Sequence, residues 1–120
     1  MANILNGITE LFNGKNGYGL IIREDGSIEE GTFKNGTLLE GKKISKSDTI
    51  YEGTFRFNKL HGQGLVTLKD GEVLSGIFRY GILHKGLVIR ADGTIMEGIF
   101  QDGKLQNGRN LRRKLTAHDI

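Results

Sequence analysis

Apolar and polar residues alternate along the chain in short runs, and glycines interrupt those runs at regular places. Four pairs of glycines stand twelve residues apart: Gly19 and Gly31, Gly41 and Gly53, Gly64 and Gly76, Gly86 and Gly98. The next glycine follows ten residues later each time, except that the step from Gly53 to Gly64 is eleven. Alternation with period two marks strands with two unlike faces. The fixed spacing marks a tandem repeat of 22 to 23 residues. Midway through each twelve-residue interval lies a turn signal: Asp25-Gly26, Asp70-Gly71 and Asp92-Gly93, with Ser47-Asp48 as the substitute in the second unit. Asp-Gly between apolar runs favours a two-residue type I′ turn, because both central residues need positive φ. Each unit therefore reads as a β-hairpin, with a looser turn in the second.

Pairing outward from such a turn sets Leu20 opposite Gly31, Lys42 opposite Gly53, Leu65 opposite Gly76 and Leu87 opposite Gly98. Phe33, Phe55, Phe78 and Phe100 then share one face with Glu29, Tyr51, Leu74 and Met96, joined from the other strand by Ile22, Ile44 and Ile89, with Thr67 the exception. The opposite face carries Glu30, Glu52 and Glu97 near a basic column of Lys34, Arg56 and Arg79, close enough for mutual neutralisation. On that face Val66, Leu68, Val73, Ile77, Val88, Ile95 and Ile99 gather in the last two hairpins.

The connections Lys34-Asn35-Gly36, Phe57-Asn58-Lys59, Tyr80-Gly81-Ile82 and Asp102-Gly103-Lys104 are all turn-compatible. Short antiparallel links predict an all-β fold, an elongated and curved single-layer meander that grows one hairpin at a time. The pattern leaves a compact sandwich open as the alternative. The organisation expected is a cap or degenerate half repeat over 1–16, a rod of about four hairpins over 17–108, and a final edge strand with a basic tail over 109–120.

One unit carries a recognisable motif. Tyr51-Glu52-Gly53-Thr54-Phe55, then His61-Gly62-Gln63-Gly64, then Asp70-Gly71 closely resembles the MORN repeat, Y-x-G-x-F followed by H-G-x-G and D-G. The resemblance spans roughly Gly17 to Gly108, with Thr9 to Gly14 as a degenerate half unit, and only the third cycle carries the whole motif. Glu29, Leu74 and Met96 replace the tyrosine elsewhere, and His-Gly-x-Gly survives as Leu83-His84-Lys85-Gly86. The resemblance implies a rod of antiparallel hairpins acting as an interaction module. Members of the family hold a partner helix or peptide along the sheet face, sit beside catalytic domains, form dimers, and have been credited with binding acidic phospholipids.

Composition narrows the chemistry. The chain has no Cys, so disulfides and thiolate metal clusters are excluded, and no apolar run approaches the length of a membrane-spanning helix. No basic region leads into an apolar stretch at the start, and the expected location is the cytoplasm. The net charge of +3 lies wholly after the last repeat glycine: 1–108 hold 13 basic and 13 acidic residues, whereas Arg109, Arg112, Arg113 and Lys114 face Asp119 alone. A charged terminal strand also guards a sheet edge against association.

Catalytic patterns are missing. His61 and His84 fall in different repeat columns, and neither has the base and orienting partner that nucleophilic catalysis needs. One aspartate per repeat is a turn marker and too sparse for a calcium solenoid. Gly14-Lys15-Asn16-Gly17-Tyr18-Gly19 leads into the strand-like Leu20-Ile21-Ile22, whereas a phosphate loop opens a helix. The expectation is a non-enzymatic chain with no cofactor, no metal and no small-molecule substrate.

Two binding readings follow. The first is recognition of a peptide or amphipathic helix, or of a second copy, by Phe33, Tyr51, Phe55, Leu74, Phe78, Met96 and Phe100, or by Ile77, Val88 and Ile99. The second is binding of acidic head groups or nucleic acid by Lys34, Arg56, Arg79, Arg109, Arg112, Arg113 and Lys114. Nucleic acid fits less well than lipid, because basic and aromatic columns fall on opposite faces in this register.

Overall fold

The computed structural model describes residues 12–111. Among them, nine strands form one antiparallel sheet in chain order: β1 (Gly17–Ile22), β2 (Ile28–Lys34), β3 (Thr37–Ile44), β4 (Ile50–Arg56), β5 (Lys59–Thr67), β6 (Val73–Arg79), β7 (Ile82–Ile89), β8 (Ile95–Gln101) and β9 (Lys104–Asn110). The molecule is an elongated single-layer meander measuring 58 × 31 × 26 Å. Its last strand begins at Lys104, so Arg109 and Asn110 end β9 rather than starting an edge strand. Residues 1–11 of the expected cap and 112–120 of the expected basic tail lie outside the described residues.

The glycines oppose one another. Gly19, Gly31, Gly41, Gly53, Gly64, Gly76, Gly86, Gly98 and Gly108 pair in succession and form an unbroken row across the sheet. The expected pairing of leucines with glycines is therefore wrong by one residue. The cause is the turn. In the first hairpin the Gly26 N–H donates to the Arg23 carbonyl at 3.0 Å, the Arg23 N–H donates to the Ser27 carbonyl at 2.8 Å, and Gly26 alone has positive φ. The Asp25 carboxylate accepts from the Ser27 N–H at 2.8 Å and from the Ser27 hydroxyl at 2.7 Å, which holds a three-residue loop closed by a left-handed glycine. Asp48 takes that left-handed place in the second hairpin, at φ 65°, with the same two backbone bonds at 2.9 Å, so that turn is no looser than the rest.

A one-residue slip exchanges the faces of a strand. Val66, Leu68 and Val88 consequently stand with the phenylalanines. Ile22, Ile44 and Ile89 stand on the opposite face, in a cross-strand row with Ile28, Ile50, Thr67, Val73 and Ile95. β-branched neighbours of this kind stabilise a pleated ladder.

The type I′ turns lie at the other edge of the sheet, in the connections between hairpins. Asn35-Gly36, Phe57-Asn58, Tyr80-Gly81 and Asp102-Gly103 all have positive φ at both residues. Each is followed by a bulge, so that Phe33 meets Leu38, Phe55 meets Leu60, Phe78 meets Leu83 and Phe100 meets Leu105. The bulge re-aims each leucine onto the phenylalanine face. In the third cycle it is enlarged by His61-Gly62, which takes up the additional residue of the eleven-residue interval, and the Thr54 hydroxyl donates to the His61 carbonyl at 2.5 Å.

The core consists of Phe33, Leu38, Phe55, Leu60, Val66, Phe78, Leu83, Val88 and Phe100, all buried on one curved face. Phe12 extends it, its ring centroid 5.2 Å from that of Phe33. A single layer thus buries its aromatic stripe by its own curvature and by the leucine column.

Candidate functional site

The expected partner-binding residues divide three ways. Phe33, Phe55, Phe78, Phe100 and Val88 are buried, between 1% and 7% exposed, and make up the core. Tyr51, Leu74 and Met96 are half-buried and pack over that core, where they form the accessible surface of the phenylalanine face. Ile77 and Ile99 lie on the opposite face, each 38% exposed.

The basic column stands at the type I′ edge, with Lys34, Arg56 and Arg79 exposed as the last residues of β2, β4 and β6. None of the three makes an ion pair among the described residues, so the expected neutralisation by Glu30, Glu52 and Glu97 does not occur. Arg109 does pair with Glu97, at 3.3 Å. Arg112, Arg113 and Lys114 fall outside the described residues.

A groove of about 400 Å³ opens where the phenylalanine face meets this edge. Tyr51, Phe55 and Leu60 form its apolar floor, Tyr80 and Gly81 one wall, and Lys43, Ser45, Asn58 and Lys59 the remainder. Tyr80 is fixed by its neighbours. Its backbone N–H donates to His61 Nδ1 at 3.2 Å, its ring centroid is 4.4 Å from that of His61, and Phe57 stacks on it at 6.1 Å. His61, drawn from the enlarged bulge, therefore holds a turn two strands away from β4.

Phe57 and Tyr80 were not legible as site residues. Both have left-handed φ, 50° and 47°, at positions where the sister turns use Asn35 and Asp102. A bulky side chain there is strained, by roughly 1–2 kcal/mol, whereas Asn and Asp tolerate the conformation. Phe57 is nevertheless 76% exposed and Tyr80 45% exposed, so burial does not account for the choice of residue.

Next to the groove, Glu29 takes the place that Tyr51 has in the third cycle. Its carboxylate is buried and accepts from Arg23 at 2.8 Å, with Lys43 at 3.9 Å, while Arg23 also donates to the Gly36 carbonyl. The hydrogen bond to Glu29 raises the Arg23 pKa further. Asp25 is held below its ordinary value by its two bonds from Ser27. No cluster of three metal-ligating side chains occurs among the described residues.

Residues 51–73, which supply the groove floor, the Phe57 turn and the His61 bulge, match the family model described as MORN repeat. Residues 51–73 are a MORN repeat. MORN repeats are in general protein- or membrane-interaction modules, and the family is generally non-enzymatic. No curated protein matches the chain. Tyr51 is the motif tyrosine and lines the groove with Phe55, and His61 of the His61-Gly62-Gln63-Gly64 segment contacts the Tyr80 wall.

Proposed function

We propose that this chain is a non-enzymatic protein-interaction module, an adaptor or an inhibitor-like binder that takes up a segment of its partner in the groove beside Tyr51 and Tyr80. The supporting observation is the wall of this groove, where an exposed aromatic is kept in an unfavourable turn conformation and braced by two further rings. Sites that retain strain are commonly sites of function. Of the core phenylalanines, Phe55 contributes by forming part of the floor.

The test is capture of stable partners from the native host by the whole chain and by a Tyr80→Asn variant. Asn suits the left-handed turn, so the variant keeps the fold while losing the wall. Stoichiometric partners lost by the variant support the proposal, and partners kept equally by both oppose it. A variant with Phe55 and Phe78 replaced is unsuitable, because both are core residues.

A second reading draws support from the basic edge. Lys34, Arg56 and Arg79 have no ion pairs among the described residues, and this favours an acidic membrane surface over internal neutralisation as their role. Sedimentation with phosphatidylserine vesicles that collapses between low and moderate salt would support it.

A further inference from the structure

We infer that the groove beside Tyr80 selects an acidic peptide segment carrying one apolar anchor side chain. The inference rests on the reading of this groove as the partner site and adds the chemistry of the occupant.

The charge of the groove is one-sided. Lys43 and Lys59 are the charged residues among those lining it, and no carboxylate joins them. Lys59 makes no ion pair among the described residues, and the ion pair that Lys43 makes there is a long one, with Glu29 at 3.9 Å, a carboxylate already bound more closely by Arg23. Arg56 and Arg79, which precede the same turns, alternate onto the opposite face and are not part of the groove lining. A segment with a carboxylate on each side of its anchor would meet Lys43 and Lys59, with no acidic group of the groove lining to repel it.

Shape supplies the second part. Tyr51, Phe55 and Leu60 make an apolar floor under a depression of about 400 Å³, which suits one large side chain rather than the length of a helix. The Tyr80 wall offers a ring to that anchor. It is rigid because His61 and Phe57 brace it, so little side-chain freedom is lost on binding.

The same geometry argues against two other anionic ligands. A single strand stacks successive bases on aromatic rings set along a basic track, whereas Phe57 and Tyr80 are stacked on each other at an interplanar angle of 22° beside a groove lined by two lysines. Lys43 and Lys59 line a depression, whereas a membrane surface is met by cations presented on a plane or ridge.

The experiment is a titration of the full ¹⁵N-labelled chain, followed by amide shifts, with three acetylated and amidated heptapeptides. One has a central Phe flanked by Asp and Glu, one has Lys in place of every acid, and one has Ala in place of the Phe. The expected result is shifts centred on Lys43, Tyr51, Lys59, Tyr80 and Gly81, with the acidic Phe peptide at least tenfold tighter than either control. A Lys43→Gln, Lys59→Gln double variant should weaken it about three- to tenfold, the size of two solvent-screened pairs. Equal binding of the basic peptide, no binding of the acidic one, or shifts only with phosphatidylserine vesicles or an oligouridylate would overturn the inference. Those results, combined with native partners that still depend on Tyr80, would leave the groove reading standing. Partners indifferent to Tyr80→Asn would remove the groove reading itself.

Discussion

Gly31 and Gly41 face each other across β2 and β3 so closely that a Cβ built on either one would lie 2.7 Å from the other's Cα. Their φ values are +151° and +146°, a conformation essentially restricted to glycine. The repeat spacing of the sequence is the trace of this contact, because every strand must bring its glycine to the same row.

Substituting either glycine should therefore be severe. Gly41→Ala combines a forbidden backbone conformation with a backbone collision, and the expected loss is roughly 3 kcal/mol or more. Gly103→Ala, at φ +80° in an open turn with nothing within 4 Å, should cost only about 1 kcal/mol. Urea denaturation of the two variants makes the comparison, and equal losses would contradict the close-approach argument.

Position in the core separates the aromatic stripe from the surface. Phe78→Ala, at a site 1% exposed, should cost about 3–5 kcal/mol, read by urea denaturation. Ile77→Ala, next in sequence but 38% exposed on the other face, should cost about 1 kcal/mol or less. Similar losses at both positions would mean that the opposite face is as well covered as the core.

Much of the fold was legible in the glycines, because a strand pair that touches backbone to backbone leaves no choice of residue. The register was harder. Asp25-Gly26 reads as a two-residue turn from its dipeptide alone, and only the Ser27 side chain and N–H, both bound by Asp25, disclose the longer loop. That single residue moved Val66 and Val88 onto the core face. The signal for the leucine column was available, since Leu38, Leu60, Leu83 and Leu105 each follow a phenylalanine by five residues. An odd interval across a hairpin hides a shared face unless a bulge is assumed. Tyr51 was legible through its motif. Phe57 and Tyr80 were not, because aromatic side chains run against the preferences of the turn they occupy.

That conflict yields a stabilising substitution. Phe57→Asn replaces a strained, exposed aromatic by a residue that tolerates left-handed φ, at the loss of one surface stacking contact with Tyr80. The net expectation is a gain of about 0.5 kcal/mol and a Tm higher by about 2 °C. Calorimetry on the two proteins checks it, and a fall of several degrees would show that the Phe57–Tyr80 contact outweighs the strain.

Asp25 should give the first hairpin a dependence on acid. Its carboxylate accepts two bonds from Ser27, the side-chain bond contributing most, and its pKa lies below the ordinary 3.8. A depressed carboxyl pKa stabilises the folded state fully above the unfolded value, and that contribution disappears as pH falls through the folded pKa. The advantage of the native chain over an Asp25→Asn variant should therefore be constant near neutrality and shrink below about pH 4. Because the carboxylate is exposed, the effect is small in energy and is best read from the carboxyl ¹³C titration itself. Ser27→Ala removes the hydroxyl donor and should move the midpoint up toward 3.8, whereas an unchanged midpoint would assign the depression to other groups.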